Sequence, residues 1–126
     1  MATEISNEPN SVALVIVQGS RFSCQVTITD AAVDFTGYTA RSKIINNFTD
    51  RTVIATLTCT VDSAGPGQMV VTLSLTTAQT AALSNTTAGE RRQPIGFHDL
   101  EIVDGSSEAT RYMQGTAYLS REATVA

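Results

Sequence analysis

Tryptophan is absent from this 126-residue chain, histidine occurs once and cysteine twice. Without tryptophan the Cys–Trp–Cys core of antibody domains is excluded. Two cysteines without a clustered histidine do not make a zinc site of ordinary ligand spacing. Cys24 and Cys59 fall on apolar positions of alternating stretches, where a thiol behaves as a small hydrophobe; whether they are bonded is left open. Charge is also scarce: 16% of residues are charged, the net charge is −4, and Arg91-Arg92 is the one basic pair. An acidic chain without a concentrated basic patch is a poor candidate for nucleic-acid binding. No apolar run approaches the roughly 20 residues that span a bilayer, and Val12 to Val17 is too short and too late for a signal segment. A protein outside the membrane, without an ordinary secretion signal, is expected.

Catalytic groups are equally thin. His98 shares a strand face with Leu100 and Ile102, while its neighbour Asp99 points the other way, which denies the pair a histidine–carboxylate arrangement. No serine sits in a nucleophile elbow and no glycine-rich loop carries a phosphate-cradling lysine. Asp99 and Glu101 share a face, as paired carboxylates do in glycosidases, but such residues on a strand are ordinarily solvent-facing. Asp62, Asp104 and Glu108 lie in loops without the dense carboxylate spacing of a calcium site. The expectation is a non-enzyme with no catalytic residue, cofactor or metal.

What the chain has in quantity is threonine and valine in period-two alternation, the pattern of half-buried strands. The most distinctive stretch is Val33-Asp34-Phe35-Thr36-Gly37-Tyr38-Thr39-Ala40-Arg41-Ser42-Lys43-Ile44. Gly37 there reaches φ > 0 without steric cost, so the chain can turn at Thr36-Gly37 and run extended through Tyr38, Ala40, Ser42 and Ile44. Before it, residues 21–30 alternate with Phe22, Cys24, Val26 and Ile28 on one side. After it, Val53 to Val61 and Met69 to Leu75 alternate around a turn at Asp62 to Gly67, an antiparallel hairpin pattern. Thr76 with Gln79 makes a capping box, which predicts one or two helical turns over 77–83. Residues 96–103 and 110–120 supply the last two strands around Asp104-Gly105.

The count is about seven evenly spaced strands with one short helix, which predicts an all-β, antiparallel, immunoglobulin-like β-sandwich. Two segments are distinguished: residues 1–17, a polar arm followed by an apolar first strand, and residues 18–126, the sandwich. The arm has no periodicity and the strand is short and β-branched, so Val12, Leu14 and Ile16 are the candidate partner-contacting residues, by edge pairing with other subunits or with copies of itself. Gly37 and Tyr38 form the structural corner. Exposed aromatics suited to a glycan are few, with Tyr112 and Tyr118 the candidates.

Several stations carry a resemblance: Gly19-Ser20-Arg21-Phe22, the corner Val33 to Arg41, Leu73 to Leu83, Phe97-His98-Asp99-Leu100-Glu101-Ile102, Arg111-Tyr112-Met113-Gln114-Gly115 and Leu119-Ser120-Arg121-Glu122. Between Gln18 and Thr124 the chain resembles tailed-bacteriophage virion proteins, in particular the N-terminal β-sandwich domain of upper baseplate and tail proteins. It departs from them at His98, where an aromatic such as tyrosine is common, and in having no receptor-binding domain after the sandwich. The resemblance implies a virion structural protein assembled in the host cytoplasm, a tail or baseplate component acting by protein–protein docking. A capsid cement or decoration protein is the alternative, and a carbohydrate-binding module is the alternative from another class.

Overall fold

The computed structural model describes residues 9–84 and 90–122. Residues 1–8 of the polar arm, which runs to Asn10, and the end of the tail, residues 123–126, lie outside them, as do residues 85–89.

Alternation becomes strand wherever it was expected. The elements in chain order are β1 (Asn10–Ser11), β2 (Leu14–Val17), β3 (Phe22–Asp34), β4 (Thr39–Ile45), β5 (Val53–Leu75), α1 (Thr77–Ala81), β6 (Arg92–Val103) and β7 (Ala109–Ser120). They join in one seven-stranded sheet in the order β1-β7-β6-β4-β5-β3, with β2 also on β7. Strand β5 joins β4 to β3 within this sheet. Its first residues, from Val53 to Leu57, pair with β4, and its last, from Pro66 to Leu75, pair with β3. Ten residues of straight strand would span about 33 Å, yet the Thr72 hydroxyl donates to the Asp62 carboxylate. The chain therefore doubles back between them, at the predicted Asp62 to Gly67 turn, where Gly67 has φ +79°.

The sheet curls so that side chains from both its ends meet in one core. Ile28, Met69, Val71, Leu73 and Leu75 come from β3 and β5, and Ile44, Leu100, Ile102, Met113 and Leu119 from β4, β6 and β7. Each of these ten side chains is nearly removed from water; burying one apolar side chain of this size contributes about 1.5–3 kcal/mol.

The expected antiparallel arrangement fails at one edge. Strands β1 and β2 run parallel to β7, with Asn10 opposite Met113 and Leu14 opposite Ala117 in one constant offset. Parallel neighbours need a long crossover instead of a hairpin, and here nearly the whole chain intervenes. The direction is set by the far side of the core: after Val17 the chain turns at Gly19, φ +80°, and enters β3 at the opposite end of the sheet. Residues 10–17 are thus an edge of the same sheet, and not a segment apart from it.

The corner forms as expected. Tyr38 N–H donates to the Phe35 carbonyl at 3.0 Å with Gly37 at φ +81°, the left-handed third position that a type II turn requires. Asp34 Oδ1 accepts from the Thr36 N–H at 3.0 Å and its hydroxyl at 2.7 Å, and these bonds hold the Asp34 pKa below the usual carboxylate value. Phe35 is buried at the centre, edge-on to Tyr38 and Tyr112 with centroids 5.4 and 6.3 Å away. The capping box is present too, with Thr76 Oγ1 accepting from Gln79 N–H at 3.1 Å and Gln79 Oε1 from Thr76 N–H at 2.8 Å. The helix is shorter than expected, ending at Ala81. Its buried Thr80 donates to the Ser20 carbonyl at 2.8 Å, which ties the helix to the β2–β3 connection.

Candidate functional site

Of the three residues expected to meet a partner, two point inward. Leu14 is 5% exposed and Ile16 0%, because the first strand alternates like the others and its inward face completes the core. Val15 and Val17, at 37 and 51% exposure, form its outer side, and Val12, between β1 and β2, is 40% exposed. No strand pairs with the free edge of β2 among the described residues.

Between β1 and β2 the first strand is bound to the sheet by His98. On β7, Gly115 lies opposite His98 of β6, and with no side chain there the imidazole reaches across. Its Nε2–H donates to the Val12 carbonyl at 2.6 Å, beside the bond from Val12 N–H to the Gln114 carbonyl at 2.8 Å. A β-carbon on Gly115 would stand 2.1 Å from the Val12 oxygen. His98 is 4% exposed, and its Nδ1 has no hydrogen-bond partner among the described residues. Burial pulls its pKa below the ordinary histidine value, against the opposing pull of the Val12 carbonyl and Asp99. The ring is a neutral clamp, with the Nε2–H tautomer required by its carbonyl partner.

The outer face of β4, β6 and β7 carries a groove of about 760 Å³. Strand register builds it from rows running across the sheet. Ser11, Gln114, Asp99 and Lys43 make one row. On one side lies a charged row, Arg41, Glu101 and Arg111; on the other an apolar one, Val53, Ile45 and Phe97. Over the apolar row Phe48, 69% exposed, leans on Phe97 with ring centroids 4.8 Å apart. Arg41 Nε meets Glu101 Oε1 at 2.8 Å and Arg111 Nε lies 3.8 Å from Asp99 Oδ2. The two carboxylates weighed as an acid–base pair are thus each engaged by an arginine. Partial burial and Glu101 raise the Asp99 pKa, partly offset by Arg111, His98 and Arg41. Lys43 and Arg51, which also line the groove, make no ion pair among the described residues.

The other candidates are engaged in local structure. Asp104 Oδ1 caps its own loop through the N–H groups of Ser106 and Glu108 at 2.8 and 3.0 Å, and Asp62 accepts from Thr72 and Gln25. No cluster of metal-ligating side chains occurs among the described residues, and none of their helices is long and apolar enough to cross a membrane. Arg92 stacks 4.9 Å from the centre of the Tyr118 ring. Tyr112 packs against the core. The exposed aromatic surface is therefore Phe48 and Phe97, not the tyrosines. Phe48 sits in the Asn46–Thr52 loop without periodicity, and only strand register brings it to Phe97. Cys24 and Cys59 are free and half-buried. Burial raises both thiols, and with Cys24 nearby Cys59 reaches about 11.

No family model matches this chain, and no curated protein matches it. Among solved structures it is similar to one from a photo-crosslinking study of the multimeric cell-adhesive interactions of VGSC beta subunits. The identity is 12%, covering 98% of this chain and 100% of that one, at a TM-score of 0.41. It is also similar to the ZIG-8–RIG-5 IG1–IG1 heterodimer in its monoclinic form. There the identity is 11%, over 95% of this chain and 90% of that one, at a TM-score of 0.36. At these TM-scores neither likeness bears on what this chain does.

Proposed function

We propose that this protein is a non-catalytic docking subunit of a tailed-bacteriophage virion, in the tail or baseplate, that associates with neighbouring subunits through its first strand. The observation that carries docking is the outer side of that strand: the exposed Val15 and Val17, with Val12 exposed at its start, beside a backbone edge that no strand pairs among the described residues. An edge of this kind is a template for β-augmentation by another chain. The virion assignment rests on the resemblance at the corner and in the final strands. In the same reading the curled sheet is an immunoglobulin-like sandwich, with β3 and the end of β5 facing β2, β7, β6 and β4 across the shared core.

The test is immunodetection of the chain in gradient-purified particles from the source culture, followed by gold labelling. Label on the tail or baseplate is expected. Label on the shell selects the cement or decoration alternative, and absence from the particles refutes the virion assignment. Replacing Val15 and Val17 together by lysine is expected to abolish incorporation while leaving the fold intact. A carbohydrate-binding reading draws on the Phe48–Phe97 pair; a glycan-array signal lost in Phe97→Ala would favour it.

A further inference from the structure

We propose that the groove on the outer face of β4, β6 and β7 binds an extended acidic peptide of a partner protein, one with a large apolar side chain and a carboxylate two residues away from it. The proposal rests neither on the virion assignment nor on the first strand.

Three observations point to that occupant. The first is charge. Arg41, Lys43, Arg51 and Arg111 line the groove, half of the chain's 8 lysines and arginines, whereas of its 12 acids only Asp99 and Glu101 do. The groove therefore carries an excess of two positive side chains on a chain whose net charge is −4. Glu101 and Asp99 are engaged by Arg41 and Arg111, which leaves Lys43 and Arg51 without an ion pair among the described residues. Lys43 makes none even though it lies opposite Asp99 in register. A carboxylate supplied from outside complements this arrangement.

The second observation is apolar exposure in a built loop. Phe48, Phe97 and Val53 line the same groove and stay open to water, and Phe48 is the most exposed of the large apolar side chains among the described residues. Its loop is nevertheless fixed. Asn46 Oδ1 accepts from the N–H groups of Asn47 and Thr52 at 2.7 and 2.9 Å, and Asn47 Oδ1 from those of Thr49 and Asp50 at 2.9 and 2.7 Å. Arg51 is held at φ +56°, a conformation unfavourable for a residue with a β-carbon. A ring kept in water by an ordered loop is a preformed apolar anchor site. The Phe48 and Phe97 rings are tilted 36° to one another, so they offer a side chain a corner and offer a sugar ring no single flat platform.

The third observation is spacing. The apolar row of Val53, Ile45 and Phe97 lies two residues along the strands from the row of Lys43 and Asp99, and that row lies two residues from Arg41 and Glu101. Two residues of strand advance about 6.6 Å, which is also the advance between alternate side chains of an extended peptide. A peptide lying along β4 and β6 thus sets an apolar residue on Phe48 and Phe97 and, two positions away, a carboxylate at Lys43.

The experiment screens the full chain against an array of randomised hexapeptides, then follows amide spectra of the nitrogen-15-labelled protein as the strongest-binding peptide is added. Binders are expected to share a large apolar residue with an Asp or Glu two positions from it, and to shift the amides of Lys43, Arg51, Phe97 and Asp99 while those of β3 stay put. Lys43→Glu with Arg51→Glu is expected to weaken binding about tenfold or more; both side chains are exposed, and unchanged β3 amides confirm that the variant is folded. Arg21→Glu with Arg91→Glu, the same change of net charge at exposed positions away from the groove, is expected to bind as the wild type does. Salt near 1 M, where the Debye length is about 3 Å, is expected to bring the wild type down to the level of the groove variant. An array with no binder, binders without acids, shifts outside the groove, or equal weakening in the two charge variants each overturn the proposal. Groove amides that shift with protein concentration alone, with a dimer in sedimentation, overturn it in favour of a second copy. A glycan-array signal lost in Phe97→Ala but kept in the Lys43 and Arg51 variant overturns it in favour of sugar.

Discussion

Replacing Gly115 by alanine tests the most constrained contact in the fold. The new β-carbon would stand 2.1 Å from the Val12 oxygen, 2.8 Å from its carbonyl carbon and 3.2 Å from His98 Nε2. Since non-bonded carbon contacts settle near 3.5 Å, the Val12 carbonyl has to withdraw by more than about an ångström. Two hydrogen bonds then go: His98 to Val12 at 2.6 Å and Val12 to Gln114 at 2.8 Å. Each contributes about 0.5–1.5 kcal/mol, and an imidazole buried with neither nitrogen satisfied adds about 1–3 kcal/mol. The expected loss is about 2–6 kcal/mol. It would be larger if the strand peeled away, because Leu14 and Ile16 would each forfeit about 1.5–3 kcal/mol of burial. At roughly 3–5 °C per kcal/mol for a domain of this size, the melting midpoint should fall by about 6–30 °C. The assay is thermal denaturation followed by circular dichroism, with hydrogen exchange at Leu14 to Val17 reporting release of the strand. Gly105→Ala is the control, since nothing lies within 4 Å of its β-carbon position and its φ is ordinary; it should stay within about 0.5 kcal/mol of wild type. A Gly115→Ala midpoint within about 2 °C of wild type would show that the first strand is not held as described.

The remaining predictions concern titration, backbone strain and thiol reactivity. Because His98 is buried neutral with a pKa below its unfolded value of 6.5, the unfolded chain binds the extra proton as pH falls below that value. Its contribution is complete above about pH 6.5 and declines on acidification, so denaturation midpoints between pH 7.5 and 5.5 should drop less in His98→Gln; equal drops would refute this. Gly37→Val should cost about 1–3 kcal/mol in urea denaturation from its φ of +81° alone, since its β-carbon meets nothing within 4 Å. With Cys59 at about 11, alkylation of the native thiol at pH 8 should run about a hundredfold slower than in denaturant, and labelling at the free-thiol rate would contradict its burial.

Much of the fold was legible because strands declare themselves locally. The alternation of Phe22 to Ile28, the Gly37 turn and the Thr76–Gln79 capping box depend on neighbours a few residues away, and all appear where the sequence puts them. The alternation also placed His98, Leu100 and Ile102 on the inner face and Asp99 and Glu101 outside. The first strand was misread. Val12 to Val17 is apolar throughout, so period two cannot be seen in it, and only the seated strand shows that Leu14 and Ile16 complete the core while the valines face out. The candidate groove was hidden for a similar reason. Lys43, Asp99 and Gln114 belong to three strands, and no local pattern records that they form one row.

By itself the sequence determined which residues share a face and where the chain turns. These follow from backbone sterics and short-range periodicity. Only the tertiary structure decided that the first strand runs parallel to the last, that His98 clamps it across a glycine, and that an apolar row borders the row of Asp99 and Lys43. Those outcomes depend on long-range register, which is selected by burial of the whole core and leaves no trace in any single stretch of chain.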